Sequence, residues 1–152
     1  MTRWKRPEPH EYLELFSAVG SAWGWSGRLI MAEKELKVLI HAGTTELFRL
    51  RCQGETAGFV ELNRGIPGQA EIAYFGLLPG FIGRGLGKYF LDWSVRRAWV
   101  GKTERIWLHT CAFDHPDALA VYLKAGFSRC GERVETQAYP EECLRKRQAC
   151  GG

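Results

Sequence analysis

The chain has 152 residues, 45% of them hydrophobic and 25% charged, which suits one globular domain burying roughly two-thirds of its unfolded surface. A formal charge of +4 and a pI near 8.9 suit a phosphate-rich partner but fall short of the concentrated basic face of a nucleic-acid binder, so none is expected. No run of eighteen apolar residues exists, so no membrane partner is expected, and Met1-Thr2-Arg3-Trp4-Lys5-Arg6 lacks a following apolar core, which points to the cytoplasm.

Pro7-Glu8-Pro9 punctuates the opening, and Tyr12, Phe16 and Val19 then recur at helical spacing up to Gly20. Trp23 and Trp25 stand in the following connection, after which Leu36, Leu39 and Ile40 mark a second helix that stops at Gly43. A hairpin is predicted next, with alternation over Glu46 to Cys52, a turn at Gln53-Gly54-Glu55 and a return over Thr56 to Asn63. After the turn Arg64 to Gly68, a strand is predicted over Gln69 to Leu77. Beyond it the apolar positions Leu86, Phe90, Leu91, Val95 and Ala98 switch to helical spacing.

Arg105 to Thr110 reads as a short buried strand. His115 to Phe127 reads as a helix with Asp114 as its cap, Pro116 in its first turn and Gly126 as its stop. Two further strands are predicted, from Phe127 to about Val134 and near Val134 to Tyr139, and Arg145 to Gly152 reads as a loose tail. Five cysteines, Cys52, Cys111, Cys130, Cys143 and Cys150, lie far apart without Cys-x-x-Cys spacing, which favours reduced thiols and offers no metal site.

The segment Leu77-Leu78-Pro79-Gly80-Phe81-Ile82-Gly83-Arg84-Gly85-Leu86-Gly87-Lys88 joins the predicted strand to the predicted helix. Glycines on alternate residues let a backbone approach a ligand closely, and the first helical turn leaves N–H groups unpaired with a positive dipole end outward. A pyrophosphate is the natural guest. The phosphate loop of nucleotide hydrolases fails here, since its first glycine would be Ile82 and its Ser or Thr would be Tyr89. The dinucleotide fingerprint fails too, because its third glycine would be Lys88.

The segment instead resembles motif A of the GNAT superfamily of N-acetyltransferases, Gln/Arg-x-x-Gly-x-Gly/Ala. Arg84-Gly85-Leu86-Gly87 fits its second half, and Ile82 stands where the pattern has Gln or Arg. A second stretch resembles motif B, Asn-x-x-Ala-x-x-x-Tyr-x-Lys-x-Gly-Phe, through Ala118, Tyr122, Lys124, Gly126 and Phe127, with His115 replacing the asparagine. Ile72 to Leu77 and Asp114-His115-Pro116 also resemble a bacterial subset of the family.

The resemblance implies a single-domain α/β (α+β) fold over residues 1–152, with a mixed sheet of about six to seven strands and about four helices. It implies acetyl-coenzyme A as cofactor, held by Leu77, Leu78, Gly83, Arg84, Gly85, Leu86, Gly87, Lys88, His115 and Tyr122. It implies a small-molecule or peptide amine as acceptor, and a homodimer is compatible with it. The first two helices and their connection would cover the acceptor side, where Trp23 and Trp25 either line the pocket or pack between the helices.

An acceptor amine is an ammonium at neutral pH if it resembles lysine and must lose a proton before it attacks a thioester. The string Ala70-Glu71-Ile72 resembles the strand of histone-type GNAT enzymes where a glutamate is the general base, and Glu61 on the preceding strand competes for that role. A bulge at Gly76 would put a backbone donor for the carbonyl oxygen near Leu77. On an unbulged strand Glu71, Ala73, Phe75 and Leu77 share one face. Tyr122 occupies the family's general-acid position. Cys111, with His109 two residues before it, offers an acyl-cysteine alternative that nothing nearby activates. A coenzyme A-binding sensor or interaction module without turnover, and an RNA-associated protein exploiting the +4 charge, are the other classes compatible with the chain.

Overall fold

A computed structural model describes residues 1–132 and Val134. Five strands form one sheet in the order β1 (Thr2–Arg3), β2 (Thr45–Cys52), β3 (Glu55–Asn63), β4 (Gln69–Leu77) and β5 (Arg105–Trp107). Pairs from β1 to β4 are antiparallel, whereas β4 and β5 are parallel. Parallel neighbours need a crossover, and the helix α3 (Leu86–Ala98) supplies it. Helices α1 (Pro9–Gly20) and α2 (Glu33–His41) precede β2, and α4 (Ala118–Lys124) follows β5. No helix among the described residues is long and apolar enough to cross a membrane.

Local chemistry explains the elements that the sequence announces. Pro9 opens α1, where its missing N–H is no loss, and the Glu8 N–H donates to the Glu11 carboxylate at 3.0 Å. Gln53 and Gly54 both take left-handed backbone angles, φ +52° and +84°, which match a tight hairpin to the twist of β2 and β3. Beyond α4, Gly126 at φ +98° stops the helix and the Phe127 N–H donates back to the Tyr122 carbonyl.

Side chains alternate across the sheet into two cores. Tyr12, Phe16, Val19, Leu36 and Ile40 of α1 and α2 pack on Leu47 and Phe59. Phe90, Leu91 and Ala98 of α3 pack on Phe48, Val60, Leu62, Ala70 and Ile72 from the opposite face. The site lies where these two layers meet the last strand pair.

Among the described residues the sheet has five strands, fewer than the six or seven expected. Residues 127–132 form no strand; β5 is only three residues long, and Phe127 packs into the α3-side core instead of extending the sheet. The strand expected near Val134 to Tyr139 lies, beyond Val134, outside the described residues. The fifth strand stops at Trp107 rather than Thr110, and α4 starts at Ala118 rather than His115. Asp114 does not cap α4: its carboxylate accepts from Thr110 Oγ1 at 2.6 Å and the Cys111 N–H at 3.1 Å, closing a turn before the helix.

Candidate active site

The parallel pair β4 and β5 is short. It covers Gln69 with Arg105, Ala70 with Ile106 and Glu71 with Trp107, and there it ends. Strand β4 runs on to Leu77, so from Ile72 onward its β5-facing edge has no strand partner among the described residues, and the two strands part there. Within this stretch the β3–β4 register jumps: Leu62 pairs with Ile72 and Glu61 with Tyr74, leaving Ala73 as the extra residue of a bulge.

That bulge corrects two expectations. Gly76 is regularly paired with Phe59, as Leu77 is with Gly58, so neither carries the irregular N–H groups. Gly76 lacks a side chain for a packing reason: a Cβ there would stand 2.5 Å from Val19 Cγ1 and 3.3 Å from the Trp25 ring. The extra residue also reverses side-chain parity. Ala70 and Ile72, then Phe75 and Leu77, all face α3, so Glu71 shares the α1–α2 face with Tyr74 and not with Leu77.

At the end of β4 the Leu78 N–H donates to the Ala57 carbonyl at 2.8 Å, which anchors the strand before the glycine segment turns. Gly85 stands directly before α3 at φ +76°, a conformation that favours glycine. Gly83 is also left-handed, at φ +79°, and beyond the chain neighbours no heavy atom of the described residues lies within 4 Å of a Cβ built at either position. At Gly87, in the first turn of α3, a Cβ would meet only Leu77 Cδ1, at 3.8 Å. The N–H groups of Leu86, Gly87 and Lys88 stand in the first turn of α3, where helix geometry leaves them no intrahelical acceptor. Arg84 and Lys88 are exposed beside it, Arg84 lying over the Phe81 ring at 5.1 Å. Open backbone, a helix start and two cations fit a pyrophosphate.

Tyr122 on α4 is half-buried against the α3-side core and packs edge-on to Phe127 at 6.3 Å. Burial, with Asp114 second, pushes its phenol up to about 12, so it is protonated at neutral pH. His115 lies before α4, its Nδ1 accepting from the Asp117 N–H at 3.1 Å, and its ring meets Trp23 at 5.1 Å. The connection after α1 thus touches the α4 side through Trp23. Trp25 instead packs in the core, at 5.4 Å from Phe16 and 5.0 Å from Tyr74.

The two carboxylates differ sharply. Glu61 on β3 is fully buried, accepting from the Tyr12 hydroxyl at 2.5 Å and from Arg28 Nη2 at 2.7 Å. Arg28 also lies over the Tyr74 ring at 4.9 Å. Glu71, at the point where β4 and β5 part, keeps 19% side-chain exposure and stands 3.6 Å from His109 Nδ1. The buried Tyr12–Glu61–Arg28–Tyr74 network is the part that sequence reading missed. Its members are far apart in the chain, and only the alternation that puts Phe59 and Glu61 on one face hints at it.

A model of the acetyltransferase (GNAT) family matches residues 5–127. The chain belongs to this family. It is an acyl-coenzyme A-dependent N-acyltransferase that uses acetyl-coenzyme A. No curated protein sequence matches this GNAT chain. Its fold is similar to that of a spermidine N-acetyltransferase from Vibrio cholerae, crystallised with CoA and spermine, at 20% identity and a TM-score of 0.71, covering 91% of this chain and 85% of that one. An aminoglycoside acetyltransferase from an uncultured soil metagenomic sample shares the fold at 12% identity and a TM-score of 0.63, over 91% and 93% of the two chains. A Bacillus subtilis protein described as a putative acetyltransferase does so at 18% identity and a TM-score of 0.64, over 91% and 98%.

Proposed function

We infer that this acetyltransferase moves an acetyl group directly to a primary amine in a ternary complex, with Glu71 as proton acceptor and Tyr122 as proton donor. The observation that carries this reading is the position of Glu71: a partly exposed carboxylate at the point where β4 and β5 part, on the strand that leads into the glycine cradle. Acetyl-coenzyme A would be held through the backbone of Gly83 to Lys88, with Arg84 and Lys88 near its phosphates and Leu77, Leu78 and His115 along the cleft. When bound it supplies the thioester that the amine attacks.

Glu71 takes the ammonium proton through an ordered water, because the bulge turns its side chain away from the face that leads to Leu77. The edge of β4 around Ala73, which no strand of the described residues covers, offers N–H donors where negative charge develops on the carbonyl oxygen, a contribution that grows in a cleft with little water. Tyr122, protonated at neutral pH, gives its proton to the leaving thiolate. Glu61 is a poor rival for the base role, since both of its oxygens are engaged away from solvent.

The fold shared with a spermidine and an aminoglycoside acetyltransferase supports a small amine acceptor. The test is a screen of amines, beginning with spermidine and sisomicin, against several acyl-coenzyme A donors while free thiol is followed. Thiol release above background with an amine is expected. Coenzyme A binding with only the uncatalysed rate for every amine would mark a binding module instead.

A further inference from the structure

The cleft holds a second titratable group that the reading above leaves unused. Ala70, Ile72, Ile106 and Leu108 pack toward α3, so Glu71, Trp107 and His109 project from the opposite face. Glu71 and Trp107 are register partners, and His109 is the next residue on that face. Its Nδ1 is 3.6 Å from Glu71 Oε1, a gap that a small side-chain rotation or one bridging water closes. The imidazole is 67% exposed and the carboxylate 19%, so the pair runs from the cleft toward solvent.

We propose that Glu71 and His109 form one proton-accepting unit, in which the carboxylate receives the proton of the acceptor ammonium and the imidazole holds it. The inference rests on Glu71 being the proton acceptor. The ammonium N–H bond breaks and its electron pair stays on nitrogen for the attack; the proton passes to the Glu71 carboxylate. That new O–H bond then breaks in favour of a bond to the neutral imidazole, leaving carboxylate beside imidazolium, from which solvent removes the proton. Net charge is unchanged throughout.

An ordinary imidazole binds a proton roughly a hundredfold more tightly than an ordinary carboxylate, so the second transfer runs downhill. Among the described residues, the ionisable groups on the elements beside the pair include Tyr74 on β4, which interacts electrostatically with Glu71, Arg105 on β5, and Asp114 in the turn after β5, already engaged by Thr110 and Cys111.

Two measurements test the pair. In the first, the histidine rings of the 15N-labelled protein are titrated by NMR, with the His109 signal assigned by its loss in His109→Gln. Glu71→Gln should lower the His109 midpoint by about 0.5 to 1 pH unit, the effect of removing a nearby opposite charge from an exposed group, and leave His10, His41 and His115 unmoved. In the second, turnover at pH 7 with the amine that the acceptor screen ranks first should fall about tenfold in His109→Gln, with coenzyme A affinity unchanged. An unmoved His109 midpoint, or wild-type turnover in His109→Gln, overturns the pair. Wild-type turnover in Glu71→Gln would instead remove Glu71 as the proton acceptor.

Discussion

Arg28 Nη2 lies 2.7 Å from Glu61 Oε1, a contact between a loop and a central strand in which the carboxylate has no exposure and the arginine side chain 16%. A charge removed from water needs its partner, because the one left behind stays buried without compensation. Glu61→Gln should therefore lower stability by roughly 3–5 kcal/mol, read as a fall in the urea midpoint. Glu71→Gln, at a partly exposed position, should leave the midpoint nearly unchanged while turnover drops. A Glu61→Gln protein of wild-type stability that has lost the alkaline-rising limb of its pH–rate profile would return the base role to Glu61.

The cofactor cradle is tested at Gly87, where the structure has room for a side chain and the bound phosphates would not. A Cβ there meets only Leu77 Cδ1 at 3.8 Å, so Gly87→Val should fold. Calorimetry with coenzyme A should then show binding abolished, and wild-type affinity would mean that the pyrophosphate lies elsewhere. Gly85→Val is the poorer probe, since φ +76° would strain any branched residue whether or not a ligand binds.

Direct transfer and an acyl-enzyme make opposite demands on Tyr122 and Cys111. Tyr122→Phe should cut turnover by about 10²-fold or more with cofactor affinity nearly unchanged, within the usual range for losing a positioned acid. Cys111 is an exposed free thiol whose backbone N–H, not its sulfur, is held by Asp114. Cys111→Ala should do little. Ping-pong kinetics or an acetylated Cys111 caught by mass spectrometry would reverse the order.

What could be read from the sequence was whatever local periodicity or backbone freedom encodes. The helix Pro9–Gly20, the hairpin turn at Gln53-Gly54 and the strand Gln69–Leu77 belong to that class, as does the glycine segment before α3. Gly76 shows the limit: a strand glycine signals either a bulge or a close approach, and choosing requires Val19 and Trp25, more than fifty residues away in the chain. The bulge fell at Ala73 instead, a residue with no local signal, and its shift of parity separated Glu71 from the face of Leu77. Tyr12, Arg28 and Glu61 meet across 49 and 33 positions, and no motif spacing reports such a contact.

Gly76→Ala measures that packing. Its methyl would enter space held by Val19 Cγ1 at 2.5 Å, on a helix that has no slack because Phe16 and Tyr12 are also fully buried. The expected loss is about 1–3 kcal/mol, the range for overpacking a core, read from thermal or urea unfolding. A bulge at Gly76 would have tolerated the alanine.

The last prediction concerns acid stability and the carboxylate of Glu46. Arg3 Nη1 stands 3.0 Å from it, Arg97 Nη2 2.6 Å and Arg64 Nε 3.4 Å, on a side chain only 13% exposed. Burial alone would raise its pKa, but the hydrogen bonds from Arg97 and Arg3 and the nearby charges outweigh burial and hold it below the ordinary 4.5. Arg64 also donates to the Arg97 and Ala98 carbonyls at the end of α3, so the cluster ties that helix to β2. The sign follows from linkage: a carboxylate whose pKa is depressed on folding adds stability that is present above its unfolded value and lost as pH falls through its folded one. Glu46→Gln should therefore lower the urea midpoint clearly at pH 7, and the gap from wild type should narrow as pH falls below 4.5. A gap of constant size from pH 7 to pH 3 would show that the arginines stabilise the fold through packing and helix capping, with no contribution from the Glu46 charge.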